Sequence, residues 1–257
     1  MRPTILALSL WTAFSLAIPE GHARQRRRPA RPGKAKCDSR RYGCAGQNPK
    51  YYDKQVRVTS HPAVGQDGAC LKRLTAAGIK FRILVGVKGV KTPVQVRSRR
   101  LGRVLYKRSW SNKRRFILDC QMVEVLAALG PAIRKAGVAT IYLSSSWRYS
   151  KVKGAQRLSQ HAFGRAVDIT AIDGAFGYAS VIRNYERGKW GCGALNKTPK
   201  GKALRRLYCA LKKRNAMQSI FTPDTDRYHR DHFHVEGPNW RVRLKPRPKR
   251  LRRRRHR

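Results

Sequence analysis

Apolar and polar positions along the chain change period several times, and the changes mark out elements. Cys70 to Ala77, closed by Gly78, reads as a short helix. From Ile79 to Val87 apolar residues alternate with basic ones, the period of a strand with one buried face. Val94–Val96 and Val104–Tyr106 follow, and the three runs together predict a strand meander. Asp119 is a suitable N-cap for a helix to about Leu129, with Met122, Val123, Leu126 and Leu129 on one face. Gly130-Pro131 interrupts or ends that helix, and a second short helical stretch leads into the β-rich run Val138–Leu143. Thr198-Pro199 offers a cap and a proline at the first helical position, after which Leu204, Leu207, Tyr208 and Leu211 repeat with helical spacing. No internal repeat occurs. Helices and strands mix without a βαβ rhythm, which predicts an α+β fold: a small, mainly antiparallel sheet flanked by helices.

The two ends do not share this patterning. Arg2 precedes a largely apolar run, Ile5 to Ile18, which closes near the small residues around Gly21-His22-Ala23. A membrane-spanning helix needs about 20 apolar residues, so residues 1–23 read as an export signal, and the mature chain is expected to have no transmembrane segment. Residues 24–36 hold seven Lys or Arg and residues 241–257 hold eleven, without an acid in either stretch. Both have the composition of solvated, disordered arms. The formal charge of the chain is +46, and residues 37–240 are strongly basic even without the arms. That balance predicts attraction to polyanions and says nothing about fold. The expected organisation is therefore signal 1–23, basic arm 24–36, a Cys-containing segment 37–64, a domain at 65–240 and a basic tail 241–257.

Six cysteines, Cys37, Cys44, Cys70, Cys120, Cys192 and Cys209, read as three disulfides in an exported chain, with fifteen possible connectivities. A thiolate zinc site is disfavoured because no C-x-x-C pair occurs.

Candidate chemistry concentrates in two segments. One is Ser159-Gln160-His161-Ala162-Phe163-Gly164-Arg165-Ala166-Val167-Asp168-Ile169, and the other runs from His229 through Asp231, His232 and His234 to Glu236. Four of the seven histidines of the chain lie in them. In extended backbone His232 and His234 point to the same side. Gly164 allows a tight turn that would fold His161 back toward Asp168. If the two segments pair as strands, His161, Asp168 and His234 converge. Two imidazoles and one carboxylate leave a fourth position open, the ligand count of catalytic rather than structural Zn2+. A lone His-x-His pair or a single strand Asp carries little weight; the two segments together carry much more.

These motifs resemble the extensin-like C-terminal family of exported bacterial proteins, which is related to the D-alanyl-D-alanine peptidases and the penicillin-insensitive murein endopeptidase. The similarity also touches Cys70-Leu71, Gly78 to Phe81, Cys120 and Cys209, and covers roughly residues 65–240. It implies zinc on His161, Asp168 and His234. Some relatives place an acid, as catalytic base, three residues before the last ligand, here Asp231; the murein endopeptidase carries H-x-x-H-x-H, here His229, His232 and His234. Both patterns coexist. A regular strand would put His232 on the metal side as catalytic base and turn Asp231 away, with His229 in support; a bend before His232 would reverse that. Ser146-Trp147-Arg148-Tyr149 resembles the element whose arginine contacts substrate, making Arg148 the oxyanion candidate. The implied function is that of an exported, periplasmic or extracellular zinc peptidase acting on peptide cross-links of peptidoglycan. The alternative is a non-catalytic polycation gripping the cell wall, lipopolysaccharide or another anionic envelope polymer. Non-specific nucleic-acid binding is a further expectation, through the basic arms and stacking on Trp147, Trp190 or Trp240.

Overall fold

The computed structural model describes residues 56–108, 116–188, 191–193 and 195–237. The apolar N-terminal run, both basic arms, Cys37, Cys44, Trp190 and Trp240 lie outside the described residues. In chain order the elements are β1 (Arg57–Thr59), α1 (Gly68–Ala76), β2 (Phe81–Val85), β3 (Pro93–Val96), β4 (Arg100–Leu101), β5 (Val104–Arg108) and β6 (Ile117–Asp119). Then come α2 (Cys120–Lys135), β7 (Val138–Ser145), β8 (Ala166–Gly174), β9 (Gly177–Ser180), α3 (Val181–Asn184), α4 (Pro199–Lys212), β10 (Ser219–Phe221) and β11 (Phe233–Glu236). Among the described residues no helix is long and apolar enough to cross a membrane.

The fold is α+β, with two sheets among the described residues. One has the antiparallel order β1-β2-β3-β6. The other, of seven strands, follows the path β10-β11-β8-β7-β5-β4. Its strand β8 is shared: β7 lines one edge, while β11 pairs with Ala166–Ile169 and β9 with Ala171–Gly174. The pairing is antiparallel except between β5 and β7. The expected meander is thus split. β2 and β3 pair, but β5 leaves for the other sheet, because alternation specifies a half-buried strand and not its partner.

Helix α2 is the spine of the core. Asp119 caps it, accepting from the Gln121 amide at 3.0 Å, and also accepts from the Thr92 amide at 3.0 Å. Met122, Val123, Leu126 and Ile133 are fully enclosed, with Leu74, Leu101, Ile141, Leu204 and Phe233 from the surrounding elements. Each such side chain contributes about 1.5–3 kcal/mol when removed from water. The helix runs through Gly130-Pro131 to Lys135 instead of stopping there. A proline inside a helix costs about 3 kcal/mol, and here packing outweighs it. A Cβ on Gly130 would lie 2.1 Å from the Gly102 carbonyl oxygen, so the glycine is required for the close passage of two backbones, not for termination.

Two disulfides are present among the described residues. Cys70–Cys120 ties α1 to α2, beside the two-point ion pair of Arg73 with buried Glu124 at 2.7 and 3.0 Å. Cys192–Cys209 ties the preceding loop to α4. As anticipated, Thr198 caps α4 by accepting from the Gly201 amide. The bonds fit a chain that folds in an oxidising compartment.

Candidate metal centre

The hydrophobic pattern of β8 and β11 positions the centre. Val167, Ile169, Phe233 and Val235 are all buried in the main core. Side chains alternate across a sheet, so the residues between them face the other way. The antiparallel register sets His234 directly opposite Asp168, and Phe233 opposite Ile169. A one-residue slip would bury the polar pair in the core and expel the apolar set, so the register is strongly determined.

His161 arrives from a different element, a single 3-10 turn at Gln160–Phe163. Ser159 caps the turn by accepting from the His161 amide at 3.3 Å, and Gly164 closes it in the left-handed region with φ 65°. Any side chain at 164 would also collide with the Asp119 amide, which donates to the Gly164 carbonyl at 3.0 Å. The turn is thereby pinned to the start of α2, and His161 is directed back onto Asp168.

The donors converge on one carboxylate oxygen. Asp168 Oδ1 lies 3.0 Å from His161 Nε2, 2.7 Å from His234 Nδ1 and 3.5 Å from His232 Nε2. The far nitrogen of each inner ring is also engaged: His161 Nδ1 meets the Ser146 carbonyl, and His234 Nε2 lies 2.9 Å from Glu236 Oε1. Against a carbonyl, Nδ1 of His161 must be the protonated nitrogen. Burial pushes the His161 pKa down, against the pull of Asp168, which favours the neutral ring. In that neutral form Nε2 offers a lone pair toward the carboxylate, and a cation between them would relieve the repulsion. Burial alone would raise the Asp168 carboxyl, but His161, His234 and His232 outweigh it and hold it well below the usual range. His234 is pushed up to about 9, since hydrogen bonds to Asp168 and Glu236 overcome its desolvation. A carboxylate and two imidazoles, each with its far nitrogen resting on an oxygen acceptor, form a donor set that fits zinc.

A second tier surrounds the first. His232 is not in the strand, which starts at Phe233; it sits at the bend leading into β11. Its Nε2 still faces Asp168, while its Nδ1 lies 2.7 Å from Asp231 Oδ1. The bend therefore does not exchange the two residues, as strand geometry alone would imply, but joins them. That hydrogen bond is the main cause of the lowered Asp231 pKa. His229 occupies the 3-10 turn Arg227–His229, with Nδ1 2.9 Å from both oxygens of Asp226. Desolvation lowers its pKa against the pull of Asp226. Phe221 stacks on His229 at 4.9 Å between ring centres. Arg148 Nη2 lies 3.7 Å from Asp168 Oδ2, and its buried Nε has no hydrogen-bond partner among the described residues. Trp147 is half-buried, packs against Leu84, Val87 and Ile117 and donates to the Lys88 carbonyl at 3.2 Å.

Sequence reasoning missed three of these contributors. Glu236 carried a signal, since His234-x-Glu236 has the period of one strand face. Asp226 stands three residues before His229, the spacing of a turn contact. The Ser146 carbonyl gave none, because a backbone oxygen has no residue identity.

No curated protein and no solved structure gives a significant match. A family model described as extensin-like protein C-terminus matches residues 68–243, which span α1 to β11 and both histidine segments, and the chain belongs to that family.

Proposed function

We propose that this chain is an exported zinc-dependent hydrolase that cuts amide bonds in the peptide cross-links of bacterial peptidoglycan. The observation that carries the reading is the convergence of His161 Nε2 and His234 Nδ1 on Asp168 Oδ1, at 3.0 and 2.7 Å, with all three side chains buried. That arrangement asks for a divalent cation, and three protein donors leave a fourth position open, as in catalytic zinc sites. Zinc held there would supply Lewis acidity, bringing the pKa of a water down to about 7 and polarising a carbonyl oxygen. The remaining work falls to side chains. Asp231 holds Nδ1 of His232, which leaves Nε2 to take a proton from water and return it to the departing amine. The Arg148 guanidinium, with an unengaged Nε, is placed to hold negative charge developing on the carbonyl oxygen. The substrate class comes from the resemblance of both histidine segments to the D-alanyl-D-alanine peptidases and the murein endopeptidase. Intramolecular disulfides agree with export.

The test is incubation of the purified protein with isolated peptidoglycan, followed by separation of the muropeptides. Cross-linked species should disappear, and chelator or Asp168→Asn should prevent it. A zinc-loaded protein that leaves every cross-link intact would sink the hydrolase.

A second reading, a polycationic binder of anionic envelope polymers, is favoured by the charge balance, since the described acids are few and most are held inside local networks. Asp67, Asp119, Glu124, Asp168, Glu186, Asp224, Asp226, Asp231 and Glu236 are all engaged by hydrogen bonds or histidines within the fold. With only 13 acids against 59 Lys and Arg, the chain carries a formal charge of +46 whichever contacts those acids make, and such a charge attracts polyanions. Retention on peptidoglycan or lipopolysaccharide that is lost at high salt, with no cleavage, would identify this role.

A further inference from the structure

His234 belongs to two sets of converging donors. One is the buried trio with His161 and Asp168; the other joins it to His229 and His232, and in each set the ligand atoms lie within 4.8 Å of one another. The second set is the more open. The side chains of His229 and His232 each keep 18% of their surface, against 0% for His161. Their ring centres are 5.3 Å apart. Each ring is oriented in the same way: Nδ1 of His229 rests on Asp226 and Nδ1 of His232 on Asp231. A carboxylate on one nitrogen fixes the tautomer and presents the other as a lone pair, the outer-shell arrangement typical of metal-binding histidines. Donors that are all imidazole suit Zn2+, Ni2+ or Cu2+ and not Mg2+ or Ca2+.

We propose that His229 and His232 form a second, weaker transition-metal site beside the buried one, with His234 as the ring the two sites share. While the buried trio is loaded, Nδ1 of His234 is committed to it, so the outer ion has two protein ligands and completes its shell with water. When the buried trio is broken at His161, His234 is released to the outer pair, and His229, His232 and His234 together hold the ion. Loss of His161 therefore moves the metal without removing it. A further consequence rests on the hydrolase reading above: an ion on His232 occupies the nitrogen that would take the proton, so zinc in excess of one equivalent inhibits.

The experiment is a zinc titration of the full-length protein by calorimetry, with stoichiometry checked by metal analysis after dialysis. The unaltered chain should bind one ion tightly and one more weakly. His229→Ala should keep the tight event at unchanged affinity and lose the weak one. Asp226→Asn, which retains an acceptor for the turn amides, should weaken only the second event, by about 10–100-fold. His161→Gln should still bind one ion, and His161→Gln combined with His229→Ala should bind none. A single binding event in the unaltered chain, or two events surviving in His229→Ala, would overturn the proposal. If Asp168→Asn leaves both events unchanged while His229→Ala removes only the weak one, the outer site stands and the hydrolase reading falls.

Discussion

Zinc binding at the buried trio should be coupled to one proton on His234. In the metal-free chain that ring lies between Asp168 at 2.7 Å and Glu236 at 2.9 Å, and its pKa is raised from 6.5 to about 9. A metal uses the Nδ1 lone pair, so below pH 9 the ion must first displace a proton. At pH 7 the gap of about two units means roughly 100 protonated rings for each neutral one, a penalty of about 2.7 kcal/mol on apparent affinity. Affinity should climb about tenfold per pH unit from 7 to 9 and then level. His161, whose pKa is lowered by burial, remains neutral over that range and adds no slope. The sign for stability is opposite. A group raised in the folded state stabilises the metal-free fold fully below its unfolded value near 6.5, and that contribution is lost as pH rises through about 9. Competition against a chromophoric chelator at substoichiometric zinc, corrected for the protonation of the chelator and for zinc hydrolysis, measures the slope. Glu236→Gln removes one of the two carboxylates that hold the proton and should move the break to lower pH. An affinity that is flat between pH 7 and 9 would refute the placement of His234 between two ionised acids.

Two stability predictions follow from the core. Gly130→Ala in an ordinary helix would stabilise by about 0.5–1 kcal/mol, but the added carbon would meet the Gly102 carbonyl oxygen at 2.1 Å, so a loss of about 1–3 kcal/mol is expected; a higher Tm in thermal denaturation would contradict the tight passage of α2 over Gly102. Cys70–Cys120 closes a separation of 50 residues and Cys192–Cys209 one of 17, so replacing the first pair with serine should cost about 4 kcal/mol and the second about 3 by chain entropy, an order that urea unfolding of the two variants can check.

Local signals were legible where the responsible contact is itself local. Asp119 and Thr198 cap the helices expected of them because a capping side chain needs only the amides two or three residues on. Gly164 turns the chain as its position suggested, since only the turn around it sets its φ. Gly130-Pro131 misled for the complementary reason. Its helix-breaking tendency is a local cost of a few kcal/mol, and the packing against Gly102, 28 positions earlier, is stronger. His232 shows a third case: alternation predicts which side it faces only inside a strand, and the strand begins one residue later.

By itself, then, the sequence named the elements and the inner donors, because periodicity, caps and ligand chemistry are properties of residue type and short spacing. It also placed His161, Asp168 and His234 in one arrangement, on the condition that two segments pair. The tertiary structure decided that condition and everything hung on it. The register that faces Asp168 with His234 joins residues 66 apart, and the carbonyl that sets the His161 tautomer comes from Ser146, 15 positions away. Such contacts depend on which strand lies beside which and on where the core accepts apolar side chains, and these are decided only when the sheet closes.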